Sequence, residues 1–387
     1  MTAQYTALWC YPWDLLDEGL DVSLGRIADA GLDAISLAVS YHAGMLLLPH
    51  NPKTRLRFLE DGSLYFRPAP GAFSGLAIQP RLSQLAEERD PLALIVEEAH
   101  KRGLAVVAWT ICNHNSHQGT LHPELCMRTA LGDPLTYALC PAQPAVQAYL
   151  RTLMHALGAY PLRAQQLESY GYGAFPHGHH HEKLLTPLGP LGERLMAICF
   201  CPACQQAAEK DGVDWRAPRD AVATTLERIL RGEVDAPPSC LLGERLAAIE
   251  GLSAYLDVQR GIVEDLVVSL AGATPIPLNL LGIEDASIGP LKPHIAEVSE
   301  MAYRNDPLEV AAVSREAQRR LAGRIPLSIG LDLCPDSTPT ADMLQTKLDA
   351  ARASADAGVY VYNYGLMPLR SLDWLGRAIR GSSARAD

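Results

Sequence analysis

Three cysteines stand within six residues in Cys199-Phe200-Cys201-Pro202-Ala203-Cys204, a spacing that lets one turn present several thiolates to a single tetrahedral ion. Zinc is the natural occupant, because soft thiolate ligands select it. A structural zinc closes with four ligands, so a fourth must come from elsewhere in the chain. Cys140, in Leu139-Cys140-Pro141-Ala142, is the expected one, with Cys112 and Cys126 as substitutes. The competing reading makes these thiols reduced and buried, filling space as small apolar side chains. Cys10, Cys112, Cys126, Cys240 and Cys334 fall under it.

A second constellation carries acid/base chemistry. In Leu167-Glu168-Ser169-Tyr170-Gly171-Tyr172-Gly173 a carboxylate ends an apolar run and precedes an aromatic, glycine-rich loop. Partial burial of such a carboxyl raises its pKa and suits it to protonate a departing glycosidic oxygen. Cleavage of that bond uses a second carboxylate, as nucleophile or as base for water. Asp332 ranks first, Glu300 second, and the pair Glu284 and Asp285 third. Glu300 could face a barrel lumen or pair with Arg304.

A sugar presents hydroxyl groups around an apolar ring face, so its site needs donors and acceptors beside an aromatic platform. Trp9 with Trp13, Tyr41 with His42, and Asn113-His114-Asn115-Ser116-His117 supply both, and Trp9, His42, Asn113, His114 and Tyr170 are the expected contacts. The run His177-Gly178-His179-His180-His181-Glu182-Lys183 reads as a substrate-facing loop through His179 and His181, with a transition-metal site or a solvated histidine run as the alternatives. Tyr303 and Tyr362 are candidates to support the reacting carboxylate or the sugar; the alternative places both in the core.

These residues must be held by a scaffold. Eight short apolar or β-rich segments recur near Tyr5–Cys10, Ala34–Val39, Ala105–Ile111, Ala164–Leu167, Ile276–Leu280, Glu297–Ala302, Leu327–Leu331 and Val359–Tyr362. Between them, Val22–Ala30, Pro91–Arg102, Pro144–Leu157, Leu252–Leu270, Leu308–Ala322 and Ala341–Ala357 carry apolar positions at helical spacing. Gly31, Gly103 and Gly358 each follow a helix and precede a strand, where a left-handed cap is needed. The alternation predicts an α/β chain folded as a (β/α)8 TIM barrel. An open doubly wound sheet is second, because no glycine-rich phosphate loop follows the first strand.

Two connections exceed what a barrel needs, His42 to Ser83 and Ser169 to about Leu252, and both follow strands, on the face where barrel enzymes build their sites. They read as insertions after strands two and four of one domain spanning 1–387. The second is a zinc-stabilised loop and helical insertion over about 169–250, with Lys210–Val234 able to form a small helical subdomain.

Tyr137-Ala138-Leu139-Cys140-Pro141-Ala142-Gln143-Pro144, together with the later Cys-x-Cys-x-x-Cys, resembles the zinc-binding arrangement of family 42 β-galactosidases, over roughly residues 137 to 210. That resemblance implies a barrel whose zinc holds the loop after strand four beside the active site. The family has Asn before its acid/base glutamate where this chain has Leu167. Met301-Ala302-Tyr303-Arg304 and Gly358-Val359-Tyr360-Val361-Tyr362-Asn363-Tyr364-Gly365 also resemble uncharacterised glycosidase-like barrels distantly related to chitinase-type folds.

Composition bounds the partners. A net charge of −11 disfavours phosphate-neutralising surfaces, and no run reaches the roughly 18 apolar residues of a membrane span. Hydrophobic residues at 48% give enough side chain for a large core. The N-terminal stretch lacks a secretory pattern and nine cysteines is an odd number, so the expected location is cytoplasmic with reduced or metal-bound thiols. The expected chemistry is carboxylate-catalysed cleavage of an O-glycosidic bond in a small glycoside or oligosaccharide. Its cofactor would be a structural zinc and its partner a small carbohydrate, with no nucleic acid, no membrane, and a homo-oligomer left open. Two alternatives stand: a metal-dependent lyase, isomerase or hydrolase using His42, His114, His179 or His181 with Glu168 or Asp332, and a barrel that binds carbohydrate without turning it over.

Overall fold

The computed structural model describes residues 4–177, 181–233 and 239–383. Eight parallel strands close into a ring: β1 (Tyr5–Cys10), β2 (Ala34–Tyr41), β3 (Ala105–Ile111), β4 (Ala164–Glu168), β5 (Leu278–Leu281), β6 (Glu297–Met301), β7 (Leu327–Asp332) and β8 (Gly358–Tyr362). Closure comes from β1, which pairs with β8 through Tyr5↔Gly358 and with β2 through Ala7↔Ala34. The predicted (β/α)8 barrel is therefore the observed fold.

Every strand is covered on both faces, which is why the strands read as nearly continuous apolar runs. Outward side chains such as Leu8, Ile35, Val106, Leu167 and Ile329 pack in the core under the helices. Inward ones, including Ala7, Trp9, Ala38, Trp109 and Tyr360, fill the lumen. Polar groups inside the ring are paired: Gln166 Oε1 accepts from Trp9 Nε1 and Ser36 Oγ, both at 2.9 Å, and its amide donates to Ser299 Oγ at 3.2 Å. Below that layer Tyr5 OH donates to Glu297 at 2.6 Å. A plugged lumen of this kind leaves only the rim for chemistry.

The flanking helices begin where capping chemistry allows. Asp90 accepts from Ala93 N to open Pro91–His100, Asp306 from Leu308 N to open Pro307–Leu321, and Thr340 from Met343 N to open Ala341–Arg352. Each such cap contributes about 1 kcal/mol. The last of these helices ends short of the predicted Ala357, because the Asp356 carboxylate accepts from Leu327 N while the Asp356 and Ala357 N–H groups donate to Leu327 O, turning the chain into β8. Gly31 and Gly103 have φ of 83° and 74°, as left-handed caps require. Gly358 does not: it opens β8, and a Cβ there would meet Tyr5 O at 2.4 Å, so close approach to β1 is its reason.

The first insertion forms a hairpin, Met45–Leu47 against Leu56–Phe58, then lays Ser63–Leu64 antiparallel on the end of β2. The second contributes Gly189–Met196, Pro202–Lys210 and Arg216–Leu230, which pack with Leu252–Gly272 around a core of their own containing Leu195, Phe200, Val222, Leu226 and Tyr255. A third long connection escaped the sequence reading. Between β3 and the helix Pro144–Leu157 lies a second hairpin, Cys126–Arg128 against Pro134–Leu139, and it packs onto the same core. Among the described residues no helix is long and apolar enough to cross a membrane.

Candidate active site and thiolate centre

Glu168 is the last residue of β4, two positions after the lumen-facing Gln166, so strand alternation aims its carboxyl at the mouth of the ring. Trp109, on neighbouring β3, donates its indole N–H to Glu168 Oε2 at 2.7 Å. Burial pushes the Glu168 pKa above the ordinary carboxylate value, and the Trp109 bond opposes that rise. Directly after it, Ser169 holds a left-handed φ of 52°, a conformation costly for a residue with a Cβ and common at functional turns.

Tyrosines ring this carboxyl. A register shift in β2 between Ala38 and Ser40 changes which side chains face inward and brings Tyr41 into the lumen cluster. Tyr11 OH donates to Tyr41 OH at 2.9 Å and lies 2.8 Å from Tyr362 OH. Burial holds all three hydroxyls above their ordinary pKa, so they stay protonated hydrogen-bonding groups. The Tyr303 ring stands 5.9 Å from that of Tyr362, and its hydroxyl is raised by burial first and then by the fields of Tyr362, Glu168 and Asp332. Tyr303 thus lies within the electrostatic reach of both acidic candidates.

Asp332 ends β7 in the inward phase set by Ser328 and Gly330. Its Oδ2 accepts from Ser337 Oγ at 2.5 Å, and Thr338 Oγ1 donates to its backbone oxygen. Behind that loop the ammonium of buried Lys347 donates to Ser337 O at 2.8 Å and Thr338 Oγ1 at 3.0 Å. Burial holds the Lys347 pKa down and the Asp332 charge partly restores it.

Several expected residues are placed elsewhere. Glu300 alternates with the lumen-facing Ser299 and Met301, so it leaves the ring on the outside and pairs with Arg320 of Pro307–Leu321 at 3.3 Å; Arg304 instead donates to Tyr303 O. Asp285 also pairs with Arg320. Trp9 is 1% exposed, its N–H spent on Gln166, which leaves no face for a substrate. Asn113 is 2% exposed and its amide donates to Tyr170 O and Gly171 O, so it braces the loop after Glu168 rather than reaching solvent. Tyr170 OH is likewise occupied by Gly282 O at 2.7 Å, which fixes its ring at the rim.

His42 and His114 stack at 4.2 Å, and His177 meets His114 edge-on with 3.3 Å between Nε2 and Nδ1. Burial, reinforced by His42 and His177, pushes His114 down to about 3, so the stack is neutral near pH 7. His181 is exposed, and His179 lies outside the described residues. The sequence reading overlooked Trp109, Tyr11, Ser337 and Lys347. Only the inward phase of Trp109, two residues before the end of β3, offered a signal.

The four cysteines converge. The Sγ atoms of Cys140, Cys199, Cys201 and Cys204 all lie within 4.8 Å of one another and all four residues are buried. From Cys140 the separations are 3.7 Å to Cys199, 3.5 Å to Cys201 and 3.5 Å to Cys204. Disulfides need sulfurs about 2.05 Å apart, whereas a tetrahedron of zinc–sulfur bonds near 2.3 Å has edges of about 3.8 Å. The cage therefore fits a tetrahedral thiophilic ion. Arg128 N donates to Cys199 Sγ, Gln143 Nε2 to Cys201 Sγ, and Tyr172 OH lies 3.3 Å from Cys204 Sγ. Tyr172 belongs to the loop that follows Glu168, so the centre and the rim share a segment. Cys10, Cys112 and Cys126 are buried apart from the cage, while Cys240 and Cys334 are exposed rather than buried.

No protein-family model and no curated protein sequence matches the chain. Among solved structures it is similar to α-L-fucosidase isoenzyme 2 from Paenibacillus thiaminolyticus, with a TM-score of 0.58 and 11% identity over 99% of this chain and 50% of that one. It is also similar to the β-galactosidase from the psychrophilic Marinomonas ef1, with a TM-score of 0.54 and 11% identity over 99% of this chain and 60% of that one. The chain thus spans half to three-fifths of these structures, and at that identity what is shared is the fold. Both of these proteins are glycoside hydrolases by name.

Proposed function

We propose that the chain is a glycoside hydrolase-like enzyme that cleaves an O-glycosidic bond in a small glycoside or oligosaccharide, with Glu168 as general acid/base and Asp332 as its partner. The observation that carries this reading is the Glu168 carboxyl itself: at the C-terminal end of β4, raised by burial, and fixed by the Trp109 N–H. A protonated carboxyl there delivers its proton to the departing glycosidic oxygen, and the resulting carboxylate keeps the indole bond. Asp332, ending a strand across the mouth and anchored by Ser337, supports the positive charge that grows on the sugar. The protonated hydroxyls of Tyr41, Tyr362 and Tyr303 bind sugar oxygens, while His42, stacked between Tyr41 and His114, offers a ring edge rather than a face. A carboxyl separation of about 5 Å gives retention and one of about 6.5–9.5 Å inversion.

The four-cysteine cage supports a structural zinc. With every position taken by sulfur it keeps no place for water or substrate, so the ion would hold structure and cross-link the insertion to the hairpin before Pro144–Leu157. A metal-dependent reaction at the histidines has less support. Among the described residues only the four cysteines bring three or more such ligand atoms together, and stacked imidazoles do not aim their lone pairs at one ion. The test is an aryl glycoside screen with wild type and Glu168→Gln in parallel: turnover by the first and a loss in the second that grows as the leaving phenol becomes less acidic support the reading, and equal rates refute it.

A further inference from the structure

A cleft of about 740 Å³ opens one residue past Glu168, between Ser169–Tyr172, the loop after β5 and one face of Leu252–Gly272. That size is ordinary for a small-molecule site. Its lining is mixed, with Leu256, Val263 and the fixed ring of Tyr170 as apolar members. Four charged residues line it, and two of them, Arg194 and Glu284, make no direct ion pair among the described residues, although the Glu284 charge reaches Arg194. The half-buried Arg194 guanidinium takes no hydrogen bond or ion pair among the described residues, and Glu284 stands at the rim. The other guanidinium in the cleft, Arg260, is already bound to Asp257 at 2.7 Å.

Leaving a partly desolvated guanidinium without an acceptor is unfavourable, and a carboxylate in the same cleft that does not close on it leaves donors on one side and acceptors on the other. A polyol satisfies both at once, since each hydroxyl donates and accepts, and the Tyr170 ring, Leu256 and Val263 suit its ring face. An anion would gain from Arg194 but be opposed by Glu284. The wall is also held in place from behind, because Tyr255 OH and Gln259 Nε2 of the same helix each donate to Cys199 O at 2.7 Å. The insertion that carries the thiolate cage therefore builds this cleft.

We infer that the cleft is the subsite for a second sugar unit, with Arg194 and Glu284 as its hydrogen-bonding residues, so that the substrate is an oligosaccharide rather than a single sugar on a small aglycone. The inference rests on the glycoside reading of Glu168. Its test is calorimetric titration of Glu168→Gln, in the metal-loaded full chain, with glucose, galactose, fucose and xylose and with cellobiose, maltose, lactose, melibiose and xylobiose. At least one disaccharide should bind about tenfold or more tighter than its component monosaccharides, and adding Arg194→Met or Glu284→Gln should erase that advantage, as loss of a charge-assisted hydrogen bond would. A monosaccharide that binds as tightly as its disaccharides overturns the subsite and leaves the glycoside reading standing. So does an advantage that survives both substitutions in proteins with unchanged melting temperature. No binding by any sugar of either length removes both.

Discussion

The indole N–H of Trp109 donates to Glu168 Oε2 across 2.7 Å, from a strand beside the one that the glutamate ends. The bond favours the carboxylate, whereas burial favours the acid, and burial prevails. Removing the donor in Trp109→Phe therefore raises the Glu168 pKa further. The alkaline limb of kcat/KM against pH, where the proton donor is lost, should move up by about one unit, the scale of one hydrogen bond to a charged group. A limb that stays in place or moves down contradicts the assignment of that limb to Glu168.

The two candidates for the second carboxylate are separated by strand phase. Asp332 faces the mouth and holds Ser337 Oγ at 2.5 Å, while Glu300 pairs with Arg320 outside the ring. Ser337→Ala should lower kcat by about tenfold to a hundredfold with little change in melting temperature. Glu300→Gln should leave kcat within about threefold of wild type and cost at most about 1 kcal/mol, as for other partly exposed pairs. A hundredfold loss in Glu300→Gln with an inert Ser337→Ala would reverse the ranking.

Metal analysis of the purified chain should give about one zinc per molecule. Cys140→Ser should release it and lower the melting temperature by several degrees or more, because the ion ties the hairpin to the insertion at the centre of the core they share. A folded wild type that carries no metal and is indifferent to a strong chelator would return the four thiols to ordinary packing.

Asp14 sits fully buried beneath the rim, raised to about 7 by burial with an opposing hydrogen bond from Asn51. Its folded pKa exceeds its unfolded one, so its stabilising contribution is complete below about pH 4 and is lost as pH rises through about 7. Asp14→Asn should therefore gain on wild type in melting temperature between pH 5 and pH 8, by up to about 4 kcal/mol in stability terms. A difference that is constant with pH would mean that Asp14 does not titrate in this range.

Much of the fold was legible because a closed parallel barrel buries both faces of its strands and so writes apolar runs at regular intervals. The cysteine cage was legible for the same kind of reason: tight spacing is a local signal, and Cys140 was the one thiol outside the triad that preceded a helix at the right place. Strand phase was harder. Glu300 and Glu297 differ by an odd number of residues, and only knowing that Ser299 meets Gln166 and Ser328 puts Glu300 outside. Trp9 looked like a sugar platform because tryptophan often is one, yet the lumen of a barrel also needs filling, and a large ring above Gly330 does so. The Ser337 and Lys347 support of Asp332 and the open cleft at Arg194 depend on loops meeting across the fold, which no local spacing encodes.

The central claim is that Glu168 gives a proton to a departing sugar oxygen. Its most direct measurement compares kcat/KM of wild type and Glu168→Gln on glycosides of one sugar whose leaving phenols span a range of acidity. Poor leaving groups need that proton and good ones do not, so the loss should grow from about tenfold for nitrophenols to about a thousandfold or more for unactivated alcohols. A loss of the same size for every leaving group, or no hydrolysis of any sugar by wild type, would contradict it.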